Sequence, residues 1–124
     1  MIYKALSVVA PAGGWIRSGK KTIEVRQWTP DLELPIYNLL IIQNRHKLSS
    51  KGLSYDPNGT VMAMVDVLKI RIWTLTDLDA SSSKKWEPGW LAWELTNIRP
   101  LYNDESQPAK LRIYELEIDL EKMK

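Results

Sequence analysis

Apolar and polar positions along the chain alternate in short runs and predict a β-rich fold. Tyr3 to Val9 reads as a first strand, and Pro11 opens a short helical turn through Trp15, Ile16 and Arg17, with Gly19 suited to its C-terminal cap. Gly13 and Gly14 weaken that helix, so contacts beyond propensity must hold it. From Thr22 the pattern has period two. Ile23 and Val25 share one face, while Thr22, Glu24, Arg26 and Trp28 share the other. Pro30 and Pro35 bound a connection, after which Leu39-Leu40-Ile41-Ile42 is a continuous apolar run, as in a strand buried on both faces. Residues 43–59 are polar and read as a long loop ending in the turn signal Pro57-Asn58-Gly59.

Thr60 to Trp73 predicts the longest strand, and it changes parity. Val61, Ala63, Val65 and Val67 lie on one face, then Leu68, Ile70 and Ile72 on the other, as a β-bulge produces. Leu111 and Ile113 followed by Leu116, Ile118 and Leu120 repeat the slip near the C-terminus. Thr76 to Ser83 predicts a short helix capped near Thr76 or Asp77, and Trp90 to Thr96 a further strand ended by Arg99-Pro100. Two long bulged strands suggest a coiled sheet closing on itself. The predicted class is α+β: a small mixed β-barrel with flanking short helices.

Composition narrows the chemistry. The 124 residues predict a single domain, 1–124, able to bury about two-thirds of its unfolded surface. No cysteine is present and His46 is the single histidine, which removes disulfides, cysteine nucleophiles and histidine metal clusters; neither a metal nor a cofactor is expected. No apolar run approaches the roughly 20 residues of a membrane span, and the N-terminus lacks a signal-peptide layout. A cytoplasmic protein without membrane contact is the expectation, with its oligomeric state left open. Six tryptophans and five tyrosines, but no phenylalanine, suit partly wet sites and base stacking. Net charge is only +2, yet residues 1–30 and 43–72 are basic and residues 73–124 acidic, which predicts one electropositive face.

The candidate chemistry centres on Gly19-Lys20-Lys21-Thr22-Ile23-Glu24-Val25-Arg26. Glu24 and Arg26 share a strand face about 6.5–7 Å apart, so both can touch one small ligand. Lys21 can donate to phosphate or carbonyl, or act as a base if burial lowers its pKa. Glu24 can accept from an amino group on a base edge, and Arg26 can fork onto phosphate. A Glu24–Arg26 bridge that merely braces the fold is the plain alternative. Trp28 can stack a base or pack in the core, and Asn44 and Arg45, after the apolar run, can reach the same mouth. Lys84, Lys85 and Trp86 form a basic-aromatic cluster that can meet RNA backbone or stay solvated. Ser49, Ser50 and Ser54 have no evident activating base, and Asp66 and Glu94 would need a partner such as Lys21 or Arg26.

These residues resemble a known signature. Gly19-x-Lys21-x-x-Glu24-x-Arg26 is similar to the G-x-K-x-x-E-x-R motif of ASCH domains, a branch of the PUA-like superfamily. The match runs back to Ala5-Leu6-Ser7 and forward to Trp28. Downstream, Trp93-Glu94-Leu95-x-Asn97-x-Arg99-Pro100-Leu101 resembles the family's W-x-L-x-N-x-R-P-L segment. The resemblance implies a PUA-like barrel with flanking helices and a basic cleft that binds RNA or a nucleotide, in RNA processing, translation or transcription coactivation. Carried over, it makes Lys21, Glu24, Arg26 and Trp28 ligand-binding residues. It also implies an alternative: a hydrolase acting on a modified nucleoside or on RNA, with Lys21 and Glu24 as its catalytic pair. Two departures stand out. Val9, Ala10, Pro11 and Ala12 replace the arginine, glutamine, proline and tryptophan of many members, and Glu24 stands where the amidohydrolase branch carries its threonine nucleophile.

Overall fold

The computed structural model describes residues 1–123, whose elements follow as β1 (Ile2–Val9), α1 (Ala12–Arg17), β2 (Ile23–Arg26), β3 (Ile36–Asn44), β4 (Tyr55–Ile72), α2 (Leu78–Ser81), β5 (Leu91–Pro100), β6 (Gln107–Lys110) and β7 (Ile113–Glu117). The strands form one mixed sheet in the order β2-β5-β4-β3-β1-β7, with β6 laid against the start of β4. β1 and β3 run parallel, so a crossover must join them; residues 10–35, carrying α1 and β2, supply it. The other pairings are antiparallel.

The apolar run at Leu39–Ile42 is fully buried on both faces. Leu39 and Ile41 pack with Leu6, Val65 and Trp93, while Leu40 and Ile42 pack with Ala5, Val61 and Leu116 on the other side. Each such side chain contributes roughly 1.5–3 kcal/mol, so this strand anchors both halves of the core. Against it α1 is held by contacts rather than propensity. A Cβ on Gly13 would lie 2.7 Å from Met62 Cγ and 2.8 Å from Gln43 Oε1, so only glycine lets the helix approach the sheet this closely. Gly14 N donates to Gln43 Oε1 (3.1 Å), and Arg17 donates to the carbonyls of Met62 (3.0 Å) and Leu101 (2.9 Å). These bonds, with buried Ile16, offset the ~1 kcal/mol that each glycine costs.

Five expectations change. The sheet does not close into a barrel: among the described residues no ladder joins β2 to β7, the two ends of the strand order. The parity slip near the C-terminus is a turn rather than a bulge. At Leu111–Arg112, with Arg112 at φ 57°, the chain leaves β6 on β4 and starts β7 on β1. The slip in β4 does coincide with a register shift between Val67 and Lys69, but Leu68 and Ile72 beyond it face solvent while Ile70 packs on the core. Pro57-Asn58-Gly59 lies inside β4 as an irregularity opposite β6, where Asp56 Oδ1 accepts from Asn58 N (2.9 Å), so the connecting loop spans only 45–54. The predicted short helix is a 3₁₀ turn, Leu75–Asp77, running into α2, and Asp77 Oδ2 accepts from Thr74 N (2.8 Å). Among the described residues no helix is long and apolar enough to cross a membrane.

Candidate functional site

β2 pairs with β5, placing Glu24 opposite Trp93 and Arg26 opposite Leu91. Ile23 points into a small core with Trp73 and Ala92, as the alternation predicts. Ahead of the strand, Gly19 adopts φ 83°, a left-handed conformation that favours glycine, and this turns the chain from α1 into β2. Lys21 N donates to Trp15 O (3.0 Å) and Thr22 N to Ala80 O (2.8 Å), which fixes the register of the motif.

The charged side chains form a chain of contacts. Lys21, only 5% exposed, donates from Nζ to Ser81 O (2.6 Å) and lies 3.2 Å from Glu24 Oε1. Glu24, 7% exposed, accepts at Oε2 from Arg26 Nε (3.1 Å) and Nη2 (2.7 Å). Arg26 Nη2 also donates to Ser7 O (2.8 Å), while its Nη1 has no partner among the described residues. Burial pushes the Glu24 pKa up, but Arg26 and then Lys21 outweigh it and hold the carboxyl below its ordinary value. Glu24 is therefore an ionised acceptor.

Glu24 and Arg26 open onto a cavity of about 310 Å³, walled by Ser7 to Val9 of β1, Asn44 at the end of β3, and Trp90 ahead of β5. Lys47, Lys110 and Arg112 also line it, and none of the three pairs with a carboxylate among the described residues. Four cations thus face one buried acid. The wall hydroxyl, Ser7 Oγ, accepts from Lys110 N (3.1 Å) and bonds Tyr114 OH (3.2 Å), which in turn donates to Pro108 O (2.8 Å).

Of the predicted residues, Glu24, Arg26 and Asn44 meet in this cavity. Lys21 does not line it; it stands behind Glu24 and ties β2 to the end of α2. Trp28 lies past the end of β2 in a neighbouring pocket of about 310 Å³, edge-on to Trp93 at 5.0 Å and covered by the Arg112 guanidinium at 4.8 Å. Arg45 and His46 line a polar groove of about 730 Å³ on the other side of Asn44, whose side-chain amide donates to His46 O. Ser49, Ser50 and Ser54 lie outside the cavity. Trp86 braces the fold, donating from Nε1 to Trp73 O (3.0 Å). Asp66 and Glu94 find partners other than those expected: Arg99 for the first, Arg71 for the second.

Ser7, Lys47, Trp90, Lys110 and Arg112 also line the cavity, and the sequence pattern does not point to them. Lys110 and Arg112 come from the acidic part of the chain, so the electropositive mouth is not built by the basic segments alone. Their one signal is the parity slip around residue 112, where the chain turns from β6 into β7. No group of three or more His, Cys, Asp or Glu able to hold a metal occurs among the described residues.

The curated proteins offer no match to this chain. Among solved structures, the crystal structure of ASCH from Zymomonas mobilis superposes with a TM-score of 0.50 at 16% identity, covering 88% of this chain and 87% of that one. Two point mutants of that protein match with TM-scores of 0.47 at 16% and 17% identity, covering 88% of this chain and 89% and 87% of theirs. At this identity the likeness supports the fold alone. The family model for the ASCH domain matches residues 6–105, the span from β1 through the signature strand and β5. The chain belongs to the ASCH domain family.

Proposed function

We propose that this domain binds RNA or a nucleotide in the cavity beside Glu24 and Arg26. One observation carries the reading: three cations without acid partners among the described residues, Lys47, Lys110 and Arg112, surround a cavity that also holds an ionised acid and an indole. Unpaired cations suit phosphate oxygens, and Trp90 in the lining is the kind of side chain on which a base stacks. Glu24 keeps acceptor capacity. Lys21 occupies one site on Oε1 and Arg26 both sites on Oε2, which leaves one lone pair of Oε1 without a partner among the described residues. A volume of about 310 Å³ lies at the small end of ligand pockets, which suits one nucleotide unit rather than a duplex.

Hydrolysis draws less support. Ser7 contacts a backbone amide and a tyrosine rather than a base, and a carboxylate held below its ordinary pKa is a weak proton acceptor. The test is calorimetry with nucleoside monophosphates and short RNAs at 50 and 200 mM salt, with product formation followed in parallel. Binding that weakens at the higher salt without turnover supports the reading. Absence of binding, or binding indifferent to salt, overturns it.

A further inference from the structure

The central cavity has a neighbour on either side, and each shares a lining residue with it. Arg112 lines both the cavity and the Trp28 pocket, and Asn44 lines both the cavity and the polar groove. The three concavities repeat one pattern, a flat ring with a cation. Trp28 goes with Lys4 in the first, Trp90 with Lys47 and Lys110 in the second, and His46 with Arg45 in the third. A cationic track with rings at intervals is how single-stranded nucleic acid is held without reading its sequence, because every base has a stackable face. Arg112 fits that use, since its guanidinium lies 4.8 Å over Trp28 and a guanidinium plane can itself carry a base.

Resting on the nucleotide reading above, we infer that the ligand is a single-stranded RNA of about three nucleotides, laid from the Trp28 pocket through the central cavity into the Arg45–His46 groove. A free nucleotide fills only the middle position. The outer positions carry one acid each, Asp31 in the Trp28 pocket and Asp56 in the groove, so the gain at each position is smaller than in the centre.

The experiment titrates random-sequence RNA pools one to six nucleotides long into the protein, followed by calorimetry or fluorescence competition. Affinity is expected to rise at least tenfold from monomer to trimer and then level off. The salt slope should steepen by about 0.7 for each phosphate added to the contact. Replacing two exposed outer cations together, Lys4→Ala with Arg45→Ala, should bring the ratio of trimer to monomer affinity toward one. Equal affinity for monomer and trimer would overturn the three-position path and leave the nucleotide reading standing. A rise that continues with every added nucleotide would also overturn it, since that marks diffuse charge attraction. Failure to bind any length would overturn the nucleotide reading itself.

Discussion

Two buried acids sit on this sheet, each bridged to an arginine, and their surroundings differ in what is left over. Asp66 on β4 accepts from Asn38 N (3.0 Å), Asn97 Nδ2 (3.0 Å) and Arg99 Nη2 (2.7 Å). Arg99 spends its other nitrogens on Asn38 Oδ1 (2.8 Å) and Asn97 O (3.0 Å). Asn38 and Asn97 are both left-handed, at φ 59° and 50°, and the ring of bonds holds them there. That cluster closes on itself, and none of its members lines the cavity or its two flanking concavities. The Glu24 cluster ends instead in a guanidinium whose Nη1 has no partner among the described residues, beside three cations likewise unpaired there and an open volume. A buried acid–arginine pair can close on itself, as at Asp66, or leave donors unspent beside open volume, as at Glu24.

Acid should erase both clusters at once and is the largest expected effect. Glu24, Asp66 and Asp77 all have lowered pKa values in the fold. For Glu24, burial opposes the shift while Arg26 and Lys21 outweigh it; for Asp66, burial again opposes it while Asn38, Asn97 and Arg99 outweigh it. For Asp77, the hydrogen bonds from Arg71 dominate and take it far below the usual carboxylate range. Groups with depressed folded pKa values stabilise the protein above their ordinary values, 4.5 for Glu24 and 3.8 for the aspartates, and that contribution is lost as pH falls below them. Urea midpoints should be level from pH 7 to about 5 and drop steeply below 4.5. A midpoint unchanged at pH 3 would mean that these pairs do not stabilise the fold.

Single substitutions then separate the clusters. Glu24→Gln leaves the Lys21 ammonium buried without a counter-charge, a loss of roughly 3 kcal/mol by urea denaturation. Combining it with Lys21→Met should cost less than the sum of the two single changes, because the second removes the charge the first has stranded. Asp66→Asn should cost about 2 kcal/mol, less because Arg99 is partly solvated. It should leave RNA affinity unchanged. A matching fall in affinity would break the distinction between the closed cluster and the open one.

Particular residues show why some of this was readable and some was not. The apolar run of β3 and the alternation from Ile23 to Arg26 are local patterns with a single structural solution, and both strands form where period and burial require. Lys21 and Trp28 sit just outside β2, one before and one after it, so alternation says nothing about where their side chains go. One turns inward to Ser81 and the other into the next pocket. A parity slip at residues 111–113 has two solutions, a bulge that would help close a barrel or a tight turn, and the chain takes the turn. Lys47, Lys110 and Arg112 reach the cavity from a loop and from the β6–β7 turn, through pairings remote in sequence that no local period encodes.

Within the open cluster the two kinds of cation should also part. Arg26→Gln removes a guanidinium that both supports Glu24 and faces the cavity, so stability should fall by about 1 kcal/mol and nucleotide affinity about tenfold, or ~1.4 kcal/mol. Calorimetry and urea denaturation of the one variant measure both. Loss of stability alone would return Arg26 to the bracing role that the Asp66 cluster exemplifies.

The smallest effect is the sharpest test, because it touches no structural bond. Lys47 lines the cavity without a carboxylate partner among the described residues, so Lys47→Gln should leave the urea midpoint where it is. Affinity should fall about threefold at low salt, and the salt slope should shrink by about 0.7, one phosphate contact. Lys85 is the matched control. It is 82% exposed and lies 3.9 Å from Glu87, outside the central cavity, so Lys85→Gln should change neither quantity. If the two lysines behave alike, positive charge anywhere on the surface is sufficient and the cavity confers nothing. If only Lys47 counts, the attraction is focused where the unspent donors of the Glu24 cluster meet open volume.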